Sequence, residues 1–331
     1  MLLRQDVALG LANFLPFAIL SAMEYRKLGK TGWNVSIIGY GAAPLGGVYG
    51  KLDEKKGIRS VHTAVDLGIN FIDTAPYYGA TVSETVLGKA LKTIPRERYY
   101  LSTKIGRYGV ADFDFSAERV IRSVDESLTR LGLAHIDLLI CHDIEFVSID
   151  QVVNETIPAL QKLKRHGKVR KIAVSGLPLR IYPKVLDQTG LDAILSYCHY
   201  CLNDITLVRL FPYFQAKGVG VINAAPMAMG LLTEKGPQKW HPASNEIKEA
   251  CARAVAHCKK KKASISKLAL QFAIGHRDIA STFVGSPTPE EVKQNVKCVK
   301  ERIDMGLLSE VQEILRPIQN QTWPSGRSEN N

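Results

Sequence analysis

Four side chains in the first half of the chain have the types needed to move a proton on and off a hydroxyl beside a hydride acceptor: Asp73, Tyr78, Lys104 and His142. Each stands at or just past the end of a short apolar run that reads as a buried strand. Tyr is a poor acid or base at neutral pH because its unperturbed pKa is about 10, so a catalytic Tyr78 requires a nearby cation that favours its phenolate. Lys104 has that charge. A buried ammonium needs a counter-charge of its own, and Asp73 has the right sign; His142 then holds the substrate oxygen. Bringing a Tyr pKa from about 10 to about 7 takes roughly 4 kcal/mol, which is of the order that one ammonium supplies in a partly dry pocket.

The elements that must position these groups are legible as alternation. Apolar, β-rich runs recur at Val35–Gly39, Phe71–Thr74, Tyr99–Lys104, Asp137–His142, Ile172–Ser175, Ala193–Tyr197, Val219–Ala224 and Ser281–Val284. Between them lie segments of helical period, such as Ala117 to Leu131, where Val120, Val124, Leu128 and Leu131 recur at three- and four-residue steps. Ser116 is placed to cap that helix, and Asp150 and Asp204 are expected to open two later ones. Near-continuous apolar strands alternating with helices imply a parallel sheet covered by helices. Eight such units match a closed (β/α)8 TIM barrel in a single domain, whose active site forms at the C-terminal ends of the strands. Residues Gly230 to Asn245, with Gly236, Pro237, Trp240 and Pro242, read as an irregular loop over the barrel mouth. The competing doubly wound sheet is disfavoured. Gly39-Tyr40-Gly41-Ala42-Ala43-Pro44 imitates a dinucleotide loop but carries Pro44 where a small residue is needed, and no acidic residue ends a second strand at the expected distance.

Composition limits the remaining classes. The 331 residues carry a formal net charge of +11, spread along the chain except for Lys259 to Lys262. That run lacks interleaved aromatics and reads as a solvated helix face, so no nucleic-acid partner is expected. Six scattered cysteines (141, 198, 201, 251, 258, 298) fit free thiols in a reducing, cytoplasmic setting. Cys198-His199-Tyr200-Cys201 has neither the second pair of a zinc site nor the context of a redox motif. It reads as packing, with a thiol switch as the sharper alternative, and no metal site is expected. Residues 1–22 form an apolar extension of unclear role, and its mostly apolar stretch, Val7 to Ala22, is shorter than the roughly 20 apolar residues of a bilayer span, so no stable membrane insertion is expected. The folded unit is placed at 23–318, followed by a polar tail at 319–331.

The segment Phe71-Ile72-Asp73-Thr74-Ala75-Pro76-Tyr77-Tyr78-Gly79, with Ser83-Glu84 following, resembles the Asp/Tyr signature of the aldo-keto reductase family. Ser102-Thr103-Lys104 and Cys141-His142-Asp143 sit where that family has its Lys and His, and the resemblance runs from Met23 to about Ile318. It implies the family's catalytic roles at Asp73, Tyr78, Lys104 and His142, with Tyr78 rather than Tyr77 as acid/base. Stretches on the substrate side (Cys141 to Phe146, Glu155 to Lys164, Leu195 to Tyr200 and Trp240 to Ser244) are similar to the plant-type members that oxidise C1 of L-galactose to the galactonolactone, a step of ascorbate synthesis.

At the cofactor end, the resemblance implies binding by Ser175, Gly176, Ser196, Ala225, Met227, Gly230, Gly285, Ser286, Glu291, Gln294 and Asn295. NADP-preferring relatives commonly carry Lys and Arg where this chain has Gly285 and Glu291. A 2′-phosphate wants a cation, whereas Glu291 would repel it and accept a hydrogen bond from a free 2′-hydroxyl; NAD is therefore expected over NADP. Ser175-Gly176 replaces a common Ser-Asn, Ser196 a common Gln, and Ala224 the Tyr on which many relatives stack the nicotinamide ring. Tyr49, Tyr108, Asp143 and Trp240 are candidate sugar contacts. Other readings keep the barrel but act on another aldose or a small aldehyde, or serve as a nucleotide-binding auxiliary subunit of a channel. A monomer or weak homodimer is the family expectation.

Overall fold

The structure, a computed structural model, describes residues 23–331; the apolar extension at 1–22 lies outside them. Eight parallel strands close a barrel: β3 (Ile38–Gly41), β4 (Phe71–Asp73), β5 (Tyr100–Ile105), β6 (Ile136–Cys141), β7 (Val169–Gly176), β8 (Ala193–Tyr197), β9 (Gly220–Ala224) and β10 (Ser281–Gly285). They pair in sequence order, and β10 returns to β3 with Gly285 opposite Gly41. Leu138, Ile140, Ala173, Ala193, Leu195, Ile222, Phe71 and Phe283 fill the interior, while the residues between them, such as Leu139, Ile172, Val174 and Ile194, face the surrounding helices. Burial on both faces explains why these strands read as continuous apolar runs.

The first expected strand, Val35–Gly39, is corrected: it is split at Ile37. Asn34–Ser36 (β2) pairs antiparallel with Tyr25–Lys27 (β1), and only Ile38 onward enters the barrel. The hairpin closes the floor, with Leu28 and Val35 fully buried against the interior residues. The backbone that links the hairpin's strands runs so close to the barrel that a β-carbon on Gly29 would collide with the Gly220 backbone nitrogen.

The helix Ala117–Leu131 matches its sequence pattern. The Ser116 hydroxyl accepts from the Arg119 N–H, and Gly132 ends the helix in the left-handed region at φ 68°. The two Asp caps do not form as expected. Ser148 precedes the helical turn Ile149–Gln151, leaving Asp150 inside it; that turn runs through a wider turn at Val152–Thr156 into Ile157–Arg165. Asp204 accepts from the Thr206 N–H at 2.8 Å in a local turn ahead of the short Thr206–Leu210 segment. The polar residues 319–331 pack onto the barrel. Trp323 is buried against His241, 5.0 Å between ring centroids, and the buried Asn330 donates to the Glu145 and Val147 carbonyls, 3.0 Å each. Among the described residues no helix is long and apolar enough to cross a membrane.

Candidate active site

Strand alternation decides which residues meet at the mouth. Asp73 follows Phe71 by two positions, Lys104 follows Ser102, and His142 follows Ile140, so all three share the interior face of β4, β5 and the end of β6. By the same parity Ser175, Tyr197, Ala224, Gly285 and Gly41 crown the other strands. The mouth therefore has a charged side, from β4 to β6, and a side of mostly small residues, from β7 round to β3.

On the charged side Lys104 Nζ donates to Asp73 Oδ2 at 2.5 Å and to the Thr74 carbonyl at 2.8 Å. Asp73 Oδ1 accepts from the Ser102 hydroxyl at 2.7 Å. Burial pushes the Asp73 carboxyl up and the Lys104 ammonium down, and each charge opposes that shift in the other. Lys104 Nζ lies 4.8 Å from the centroid of the Tyr78 ring. The expectation that Lys104 brings the phenol into the neutral range is corrected. Burial holds the Tyr78 phenol well above its ordinary value, the Asp73 and Asp143 carboxylates add to this, and Arg107 pulls it down. Lys104, its charge compensated by Asp73, does not offset that burial.

Tyr78 is fixed from below by a meeting of two glycines. A β-carbon on Gly46 would collide with the Tyr78 carbonyl, and one on Gly79, which has φ 64°, would collide with the Gly46 backbone. The loop after β3 thus packs backbone to backbone on the tyrosine turn. Ser83 and Glu84 brace the same turn. Ser83 donates to the Ala42 carbonyl at 2.7 Å, and the buried Glu84 accepts from Thr103 at 2.6 Å and Arg130 at 2.7 Å.

The His142 ring lies 5.8 Å from that of Tyr78, nearly perpendicular at 86°. Its Nδ1 is buried without a partner. Burial, then Lys104 and Arg107, hold its pKa well below the usual imidazole value, so His142 is a neutral donor or acceptor. Beside it stand two charges. Asp143 Oδ2 is 3.7 Å from His142 Nε2 and is bound by Arg107 Nη1. Arg107 was invisible as a site residue in the sequence. Its signal is positional: Lys104 pairs with Ile140 and Ile105 with Cys141, so continuing that register sets Arg107 opposite Asp143.

The small-residue side suits an extended nucleotide. Gly285 leaves no room for a larger side chain, because a β-carbon there would lie 2.8 Å from Pro44 Cγ. Farther out, Ser286 accepts from Asn295 at 2.9 Å, and Thr288 caps the helix Pro289–Lys300, whose first turn carries Glu290 and Glu291. Gln294 and Glu291 are exposed on that helix. Lys235, from the mouth loop, is near enough to pull the Glu291 carboxyl down against the burial that raises it. Ser175 holds the Asp143 N–H at 3.1 Å. Ser196, in contrast, faces the helix side, where its hydroxyl neighbours that of Tyr182. Gly176 also faces outward; a β-carbon there would lie 2.5 Å from Glu145 Oε2, which explains why no Asn occupies the position. Ala225 (φ 52°) and Gly230 (φ 103°) lie in left-handed turns of the mouth loop, on either side of Met227. Tyr197, beside Ala224 in the β8–β9 register, is an inward aromatic that sequence reasoning did not assign.

Among the candidate sugar contacts, Tyr49 and Trp240 come together from two loops, 6.2 Å between ring centroids. Tyr108 does not join them: its ring lies under Arg119 of the neighbouring helix, 3.7 Å from centroid to guanidinium carbon. Cys198 and Cys201 are buried, unbridged thiols, and burial holds both well above the ordinary thiol value. Peroxide or a thiol alkylator is therefore expected to leave the native rate within about twofold over minutes, because the reactive species is an accessible thiolate; loss of activity tracking modification of Cys198 or Cys201 would contradict this. Among the described residues no His, Cys, Asp and Glu cluster of three or more is arranged to hold a metal ion.

The closed parallel barrel with a buried Asp–Lys pair, a tyrosine and a neutral histidine at its strand ends is that of an oxidoreductase. The chain belongs to the aldo/keto reductase family, whose model matches residues 37–316 and whose members use nicotinamide cofactors. It is 54% identical to the L-galactose dehydrogenase of Arabidopsis thaliana over 94% of this chain and all of that one. It is also 28% identical to a D-threo-aldose 1-dehydrogenase of a Pseudomonas species, over 85% of this chain and 94% of that one. Among solved structures, an aldo-keto reductase of Bacillus halodurans in its holo form superimposes with a TM-score of 0.75 at 27% identity, covering 92% of this chain and 98% of that one.

Proposed function

We propose that this protein is an aldose 1-dehydrogenase that oxidises C1 of L-galactose to the lactone with NAD. The observation that carries the reading is the full-length, 54% identity to a protein named for that sugar. The charged side of the mouth supplies compatible chemistry. Oxidised nicotinamide held on the small-residue side would supply the hydride acceptor and a positive charge of the sign that favours the Tyr78 phenolate. Tyr78, in its phenolate form, takes the proton of the C1 hydroxyl at its phenolic oxygen. Lys104, held by Asp73, keeps a cation against the Tyr78 ring, and neutral His142 hydrogen-bonds the same substrate oxygen. Ser175, Met227, Gly230, Gly285, Ser286, Gln294 and Asn295 line the small-residue side as the cofactor contacts, with Tyr49, Trp240 and Asp143 towards the sugar.

A panel of L- and D-aldoses and small aldehydes, assayed with NAD and NADP at equal concentration, tests this reading. L-Galactose is expected to give the highest kcat/KM. NAD is expected to exceed NADP by about tenfold, equivalent to about 1.4 kcal/mol, because Gly285 carries no cation and the Glu291 carboxylate would repel a 2′-phosphate. Comparable turnover with NADP sinks the cofactor assignment and points to Lys235 as a phosphate partner. A small aldehyde outperforming every sugar sinks the substrate assignment.

A further inference from the structure

The Arg107–Asp143 pair has no part in the proton transfer just described, yet it stands against His142. The guanidinium carbon lies 4.0 Å from the Tyr77 ring centroid, 5.2 Å from that of Phe113 and 5.3 Å from that of Phe146. Phe113 and Phe146 are themselves stacked at 4.4 Å. A guanidinium held on aromatic faces and on one carboxylate has little freedom to find another partner. A buried ion pair is seldom a net gain in stability over apolar packing, so its presence beside the reacting groups calls for a ligand.

We propose that Arg107 and Asp143 form a hydroxyl-reading pair: Asp143 accepts a hydrogen bond from the hydroxyl on the carbon next to the reacting one, and Arg107 is the positioning residue that keeps this carboxylate charged and aimed. The inference rests on the aldose dehydrogenase reading. Its geometry is the 3.7 Å between His142 Nε2 and Asp143 Oδ2. The two oxygens of a vicinal diol lie about one hydrogen-bond length apart, so one can meet His142 while its neighbour meets Asp143. A carboxylate accepts several hydrogen bonds at once, and Arg107 occupies only part of that capacity.

The surrounding charges give Arg107 its purpose. Burial pushes the Asp143 carboxyl up; Arg107 is the foremost group pulling it back, with Lys104 behind it. Glu145, pushed up to about 8 by burial and then by Asp143, sits on the far side as a largely protonated acid at neutral pH. His142 is neutral, and burial holds the Tyr78 and Tyr197 hydroxyls well above the ordinary phenol value. Without Arg107 the carboxyl would therefore take up a proton at higher pH and lose its charged acceptor. The backbone of Asp143, at φ 54° and ψ 60°, is one that Asn adopts readily, so Asp143→Asn removes the charge without straining the turn.

The test uses Asp143→Asn, Arg107→Met and Arg107→Lys, with L-galactose and its 2-deoxy counterpart, and NAD binding followed by tryptophan fluorescence. For Asp143→Asn, KM for the parent sugar is expected to rise by about tenfold or more, the scale of a hydrogen bond to a charged group. KM for the 2-deoxy sugar and NAD affinity should change less than about threefold. Arg107→Met should move the acid limb of the kcat/KM profile for the parent sugar to higher pH by about one unit or more, consistent with the loss of a close partner charge. Arg107→Lys should restore most of it, and Asp143→Asn should remove the part of the limb that Arg107→Met moves, leaving the rise with pH that Tyr78 imposes. Equal KM increases for both sugars, or an unmoved limb in Arg107→Met, overturn the pair alone. Absence of aldose oxidation by the unaltered protein overturns the dehydrogenase reading, and this inference with it.

Discussion

Tyr78→Phe is expected to lower kcat for aldose oxidation by about 10³, within the range that general acid–base catalysis supplies, while NAD affinity stays within about threefold. The substitution removes one oxygen from a ring whose position is set by other contacts: the Gly46–Gly79 backbone approach beneath it and Lys104 against its face. The cofactor side of the mouth is untouched. Because burial and the neighbouring carboxylates hold the Tyr78 phenol well above its ordinary value, the deprotonated form that oxidation needs is scarce at neutral pH and grows as pH rises. The rate of oxidation should therefore climb with pH, and reduction of the corresponding carbonyl should fall, the proton being a product of one direction and a reactant of the other. Steady-state rates in both directions across pH, for the protein and the variant, check this; near-normal turnover by the variant removes Tyr78 from its role.

Lys104→Met should lower both activity and stability. Breaking a buried pair by deleting one member leaves the other charge uncompensated, at a cost of about 3–5 kcal/mol. Asp73 retains only the Ser102 hydroxyl, 2.7 Å away, and its remaining influence is the burial that already heads the causes raising its pKa. The folded state then binds a proton at Asp73 that the unfolded chain has released. An Asp with a folded pKa above its unfolded value stabilises least at high pH. The variant's deficit should accordingly be smallest near pH 4 and widen as pH rises through the raised value. Adding Asp73→Asn should recover much of the stability and none of the turnover. Thermal melts over pH, beside kcat, separate the two effects; a deficit constant with pH would falsify the compensation argument.

The fold and the four strand-end residues were legible because period and parity are local properties. Two positions separate Phe71 from Asp73 and Ser102 from Lys104, so a correct strand assignment is enough to point them into one mouth. What was not legible depends on register and approach between segments. Val35 reads as part of the first barrel strand because a floor hairpin and a barrel strand share the same apolar, β-branched composition; only the antiparallel pairing of Tyr25–Lys27 with Asn34–Ser36 separates them. Ser196 was placed with the cofactor by resemblance, yet its parity with Ile194 turns it towards Tyr182. Arg107 carried no motif. It needed the β5–β6 register to acquire Asp143 as a partner. The burial that raises the Tyr78 phenol was not legible either, because a sequence gives the sign of a charge such as Lys104 but not how far a neighbour and the surrounding packing offset it.

The two ends of the described chain lie on opposite faces of the barrel. Met23 leads into the floor hairpin, with its side chain against Gly68, while Asn330 is anchored to the Glu145 and Val147 carbonyls at the mouth. A purification handle or fluorophore joined beyond Asn331 emerges beside the entrance and competes with the packing that seats Asn330. A surface tether attached at the floor hairpin, for example through the exposed Tyr25, leaves the entrance facing the solution instead.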